Sequence, residues 1–290
     1  MIEISVDGQG EILGKQFCTN PTVYLDLWAL MDFALEDSLG NRFVRALVSR
    51  DGTLALSWIH FVELSQLSDQ FQVMKIAAFL QQAAPHMFFI EVIPKNVIER
   101  ENDILQSGKV IAPHADDKFL KAFLTHRRQS VNPLSVAEFL KDFQQEKVAE
   151  MCQSFMAELK EVVESSRQRA EQNSVLGARI KEVPLGPHIQ HATRYIDIEA
   201  GRYLVRDRIN MSPQDWRDYF HMIIPLAYCD VLLLDRRWAN KAQEIVRRLR
   251  RAGHKAQMAQ VFWKKELGSF WNVLENTSQV ASSAGCNVVA

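Results

Sequence analysis

Residues 215–238 read DWRDYFHMIIPLAYCDVLLLDRRW, and this stretch decides the fold. The apolar positions from Tyr219 to Tyr228 suit a helix, whereas the apolar run Val231 to Leu234 is too short for one. Such a run fits a strand buried on both faces, as in a parallel sheet, with Asp235 at its carboxyl end. Asp215, Asp218, Asp230 and Asp235 surround these two segments. A carboxylate set against a core is costly unless a cation or a basic partner compensates it. The stretch therefore points to a carboxylate-rich, metal-using α/β protein.

The same arrangement recurs upstream. Val23-Tyr24-Leu25 is an apolar strand ending in Asp26, and Leu54-Ala55-Leu56-Ser57 is a second strand. WIHFVELSQL follows the second strand and carries Glu63 about one and a half turns into a helix. Met87 to Ile93 reads as a third strand closed by Pro94. The expected strands lie near 23–26, 54–57, 88–92 and 231–235. In an open parallel sheet, ligands sit beyond the carboxyl ends of the strands, where the strand order reverses. Asp26, Glu63, Asp218 and Asp235 can converge there from four distant places. Any single strand-end Asp reads equally well as the cap of the next helix. The weight lies in four acids at matching positions.

This pattern resembles a PIN-like nuclease domain: Asp26 after strand one, Glu63 on the following helix, Asp218 opening a late helix, and Asp235 after the next strand. DYFHMIIPLAYCDVLLLDRRW is similar to a PIN-like subgroup in which an Asp-x-x-His helix leads to Tyr-Cys-Asp and a strand-ending Asp. The likeness spans roughly residues 20–100 and 210–265. It implies a parallel central sheet flanked by helices, with Asp26, Glu63, Asp218 and Asp235 as the catalytic and metal-binding acids and Asp230 as an auxiliary one. It also implies Mg²⁺ or Mn²⁺ as cofactor and single-stranded RNA as substrate. Two positions depart from the pattern. Leu27-Trp28 stands where a small polar residue or Asn follows the first Asp, and Leu234 where Thr precedes the last. Both departures remove hydrogen bonds around a metal site, and they favour the alternative, a catalytically inactive PIN-like module that binds RNA or protein.

The chemistry such a cluster implies is direct. Carboxylates hold hard divalent cations, which activate a water for in-line attack on a phosphodiester and offset charge on the leaving oxygen. No protein nucleophile is needed, and the chain shows no convincing Ser-His or Cys-His arrangement. An aspartyl-phosphate phosphatase would need a second Asp two residues after Asp26, where Trp28 stands. A Walker loop is excluded as well: Gly10 and Gly14 are too close, and Gln16 follows Lys15 in place of Ser or Thr.

Immediately after Asp235 the charge turns basic. Arg236, Arg237, Lys241, Arg247, Arg248, Arg250, Arg251 and Lys255 stand against a single Glu244. A solvated helix face explains this run as well as a phosphate-tracking surface does. Arg236, Arg237, Arg247 and Arg248, with His221 one turn after Asp218, are the candidate substrate contacts. His221 reads equally as a structural hydrogen-bonding group. Trp28, Trp58 and Trp238 each follow a proposed strand. They are candidates for stacking a base, with core packing the simpler role for any one of them.

The remaining organisation is that of one domain over 1–275. Residues 1–20 alternate around turn signals at Asp7-Gly8 and Gly14, which predicts a hairpin. Helices are expected over 28–48, interrupted near Gly40-Asn41, and over 69–84. Residues 115–182 turn to charged, amphipathic helix and read as an insertion between strands three and four. Residues 183–192 read as a linker, and 276–290 as a disordered tail. With 290 residues, 47% hydrophobic and 24% charged, the composition is that of an ordinary globular protein. A net charge of −1 supplies no global argument for a polyanionic partner. Cysteines 18, 152, 229 and 286 lack framework or metal spacing, and free thiols are expected. The segment MIEISVDGQG does not read as a signal peptide, and no apolar run suits a membrane span. A cytoplasmic location is expected, with a homodimer or a protein partner docking through the insertion.

Overall fold

A computed structural model of the chain describes residues 1–6, 12–107, 113–125, 136–143, 150, scattered positions between 153 and 168, 192–206, 212–254, 256–276 and 287–288. Strands β1 (Ile2–Val6) and β2 (Ile12–Phe17) form the expected antiparallel hairpin. The central sheet follows: β3 (Thr22–Leu25), β4 (Thr53–Leu56), β5 (Met87–Phe89), β6 (Val231–Leu233) and β7 (Gln260–Phe262). All its pairings are parallel, and the strand order is β5-β4-β3-β6-β7. A further short strand, β8 (Asn287–Val288), pairs antiparallel with β2. Every residue of β3, β4, β5 and β6 is buried, which is why these runs are continuously apolar rather than alternating.

The chain lays down β3, steps outward to β4 and β5, and returns to place β6 and β7 on the other side of β3. The order therefore reverses between β3 and β6, the position where an open α/β sheet leaves a crevice at its carboxyl edge. Register fixes what faces that crevice. Tyr24 lies opposite Leu232 and Leu25 opposite Leu233, and the Asp26 amide donates to the Leu233 carbonyl at 2.9 Å. Asp26 and Asp235 thus leave adjacent strands at the same end.

Helices flank the sheet. α1 (Leu27–Leu35), α2 (Asp37–Ser49) and α4 (Gln70–Ala83) pack on one another, while α3 (Trp58–Ser65) follows β4. α5 (Pro94–Ser107), α8 (Ala192–Arg206), α9 (Pro213–Tyr228) and α10 (Arg236–Arg251) form another packed set, and α11 (Leu267–Glu275) lies against β6, β7 and α2. Of the segment read as an insertion, α6 (Asp117–Thr125) packs on β2 and β5, and α7 (Val136–Phe143) on α3 and α4. Most of the rest of 115–182, the linker 183–191 and most of the tail lie outside the described residues. No helix among the described residues is long and apolar enough to cross a membrane.

The break expected at Gly40-Asn41 falls instead at Glu36, between α1 and α2. Gly40 is a site of close approach: a Cβ there would sit 2.4 Å from the Phe33 carbonyl oxygen. The third strand is shorter than expected. After Phe89, Ile90 makes an antiparallel bridge to Ala115, and α5 begins at Pro94.

Candidate metal centre

Asp26 follows β3 and is the N-cap of α1, its Oδ1 accepting from the Leu27 amide at 2.7 Å. Its Oδ2 accepts from the Asp235 amide at 3.1 Å, which ties the two strand ends together. Asp235 is the N-cap of α10, its Oδ1 accepting from the amides of Arg237 (2.7 Å) and Trp238 (3.3 Å). Capping and clustering are therefore not alternatives at these two residues. Each carboxylate uses one oxygen on a helix N-terminus, where the macrodipole also favours negative charge. The Oδ2 of Asp235 is buried and has no hydrogen-bond partner among the described residues. Buried polar atoms are normally satisfied, so this one calls for a partner of its own.

Asp218 completes the group. One oxygen each from Asp26, Asp218 and Asp235 lies within 4.8 Å of the others. Asp218, expected to open its helix, lies instead within α9, whose cap is Ser212 in a reciprocal arrangement with Asp215. Gln214, one turn earlier, donates to Asp218 Oδ1 at 2.8 Å.

Electrostatics mark the three as mutually strained. Burial pushes Asp26 up to about 6, with the charges of Glu63 and Asp235 adding to the shift and His221 opposing it. Burial and the charge of Asp26 push Asp218 up to about 7. Burial raises Asp235 as well, against its two amide donors. Acids crowded and desolvated in this way resist ionisation until a cation joins them. An all-oxygen donor set whose oxygens lie within 4.8 Å of one another suits a hard divalent ion, with ligand distances of roughly 2.0–2.6 Å. The residues present fit such an ion.

Glu63 stands outside this group. Its carboxylate is buried and committed elsewhere: Oε2 to His221 Nε2 at 3.0 Å and Oε1 to Arg217 Nε at 3.2 Å. Burial alone would raise its pKa, but His221 and Arg217 outweigh it and hold Glu63 below the ordinary range. His221 shifts upward in turn, Glu63 outweighing its burial. Each group thus favours the charged form of the other. From this pair a buried chain of hydrogen bonds runs inward: His221 Nδ1 to the Tyr24 hydroxyl, Tyr24 to Ser57 Oγ (3.0 Å), and Ser57 Oγ to His60 Nδ1 (3.2 Å). His60 Nε2 then meets the Leu25 carbonyl at 2.7 Å. Burial drives His60 down to about 3. It is therefore neutral, with Nε2–H as donor and Nδ1 as acceptor.

Other expectations need correction. Asp230 is at the opposite end of β6, where its Oδ2 accepts from the Thr22 amide at 2.8 Å. Four residues of chain lie between it and Asp235, a span of roughly 16 Å in extended form, and it is not among the acids grouped at the other end. His221 is 0% exposed and cannot meet a substrate. Trp58 and Trp238 are buried core residues, which leaves Trp28, half-buried, as the one of the three that reaches the surface. Arg236 and Arg237 are exposed beside the acids, though Arg237 pairs with Asp215. Arg247 is exposed and Arg248 pairs with Glu199 at 3.0 Å. Both lie about 16–18 Å further along the helix. Gln214 and Arg217 went unrecognised in the sequence, although Gln214 precedes Asp218 by the four residues that put side chains on one helical face.

Comparison of the chain with protein-family models, curated proteins and solved structures gives no match.

Proposed function

We propose that this chain is a PIN-like, metal-dependent ribonuclease that hydrolyses phosphodiester bonds of single-stranded RNA with Mg²⁺ or Mn²⁺. The observation that supports it best is the carboxylate triad at the strand-order reversal, with one buried carboxylate oxygen lacking a hydrogen-bond partner among the described residues. Asp26, Asp218 and Asp235 are the residues that would hold the ion. A divalent ion there supplies an acidified water and charge compensation for an in-line displacement. The backbone amides of Leu27, Asp235 and Arg237 orient the carboxylates of Asp26 and Asp235. Gln214 orients Asp218 and in turn accepts from Arg217, which also binds Glu63. Glu63 is thus held beside the site by His221, Arg217 and Gln214, with its charge offset by its basic partners. Exposed Arg236, directly after Asp235, is placed to meet a phosphate.

The test is cleavage of a labelled single-stranded RNA with Mg²⁺ or Mn²⁺, with EDTA, and with Asp26→Asn. Cleavage that needs the metal and is lost in the variant supports the reading. Cleavage that persists in EDTA, or at the wild-type rate in the variant, refutes it.

A further inference from the structure

At the carboxyl edge of the sheet that carries Asp26 and Asp235, aromatic and cationic side chains follow the ends of β3, β6 and β7. Trp28 lies two residues after Asp26, and Arg236 one residue after Asp235. Trp263 directly follows the last residue of β7, at the same carboxyl edge of the sheet. The Arg236 guanidinium lies 5.1 Å from the Trp263 ring centroid, and the Lys265 ammonium 5.8 Å from it. Lys264 closes the circuit, its ammonium 5.7 Å from the Trp28 ring and 2.6 Å from Asp32 Oδ2. Trp28 and Trp263 are both half-buried and packed against the core. Arg236, Lys264 and Lys265 are exposed. Arg236 and Lys265 have no carboxylate partner among the described residues.

We infer that Trp28, Trp263, Arg236, Lys264 and Lys265 form a binding ledge for a single-stranded polynucleotide, with bases lying against the indoles and phosphates held by the cations. Flat rings interleaved with positive charge meet both requirements of an unpaired strand, a π-face for each base and counter-charge for each phosphate. A paired duplex hides its base faces and would use only the cations. A polyanion can approach the carboxylate triad because Arg236, directly after Asp235, brings positive charge beside it. The placement of the scissile phosphate rests on the proposed nuclease reading, whereas the binding does not.

The test uses full-length protein in an Asp26→Asn background and a fluorescein-labelled oligouridylate, read by anisotropy and by tryptophan quenching. Comparison strands are an abasic oligomer and a duplex of equal length. Oligouridylate should bind, quench tryptophan emission, and bind more tightly than either comparison strand. Trp263→Leu should weaken oligouridylate about tenfold and leave the abasic strand unchanged. Arg236→Glu with Lys265→Glu, both exposed and therefore safe for folding, should weaken all three and lessen the dependence on salt. Equal binding of oligouridylate and the abasic strand, no quenching, or undisturbed binding in Trp263→Leu would overturn the ledge. So would polyglutamate competing as well as oligouridylate, which would point to an acidic protein partner. Metal-dependent cleavage by a protein that fails these tests would leave the nuclease reading standing alone. Base-dependent binding by a protein that never cleaves would leave the ledge standing alone.

Discussion

Replacing Asp26 with Asn should make the metal-free protein's stability respond differently to pH, by an amount the site geometry supplies. Asp26 is held at about 6 rather than its ordinary 3.8. At 1.36 kcal/mol per pKa unit, keeping it ionised in the fold costs about 3 kcal/mol. The sign follows from linkage. A carboxyl whose folded pKa is raised contributes its stability fully below the unfolded value near 3.8 and loses it as pH rises through about 6. Asn has no proton to lose and escapes this cost. It has, however, only one acceptor oxygen, whereas Asp26 accepts from both Leu27 and Asp235. One buried amide is then unsatisfied, which costs about 1–3 kcal/mol at every pH. The variant should therefore be less stable than wild type at pH 4 and as stable, or more so, at pH 8, a swing of about 2.4 kcal/mol because pH 4 still lies just above the unfolded value. The swing corresponds to roughly 5 °C in Tm at about 2 °C per kcal/mol. Thermal denaturation followed by circular dichroism in EDTA, at intervals from pH 4 to pH 8, reads it directly. A wild-type-minus-variant difference that stays flat across this range would refute the burial argument for Asp26.

Metal affinity should weaken as pH falls from 8 to 6, because protons compete for Asp218, held at about 7, and for Asp26, held at about 6. Titration calorimetry with Mn²⁺ at three pH values checks this, and a flat affinity would contradict it. His221→Ala should cost about 3–5 kcal/mol in chemical denaturation, since it strands Glu63 as a buried charge with Arg217 as its remaining ionic partner. A loss below about 1 kcal/mol would mean the pair is not a structural ion pair. Asp230→Asn should leave Mn²⁺ affinity unchanged; a large loss would place Asp230 in the site after all. Arg247→Ala with Arg248→Ala should weaken single-stranded RNA binding less than Arg236→Ala, because both lie several turns from the acids. Equal or larger effects would show that the strand tracks the length of α10.

Much of this site was legible because a buried parallel strand has a recognisable signature. The fully apolar runs before Asp26 and Asp235 marked strands, and the strand-order rule then put both acids at one edge. β7 was not legible: Gln260–Phe262 is a three-residue edge strand whose apolar content is too small to separate from a loop. With it went Trp263, Lys264 and Lys265, whose position depends on that strand. Asp230 rested on the resemblance, although its place before Val231 already put it at the amino end of the strand, away from the carboxyl edge. Glu63 was placed at the correct edge, but sequence spacing could not foresee that His221 and Arg217, from a helix more than a hundred residues later, would claim both its oxygens. His221 shared a face with Asp218 on paper, while packing turned it wholly into the core.

Diffraction from Mn²⁺-soaked crystals, recorded at the manganese edge, decides whether the three carboxylates hold an ion. An anomalous peak among Asp26, Asp218 and Asp235 is expected, with an oxygen of Asp235 among its ligands and Glu63 still joined to His221. A protein that crystallises with these carboxylates in place yet shows no peak among them at saturating Mn²⁺, or binds the ion elsewhere, would contradict that expectation.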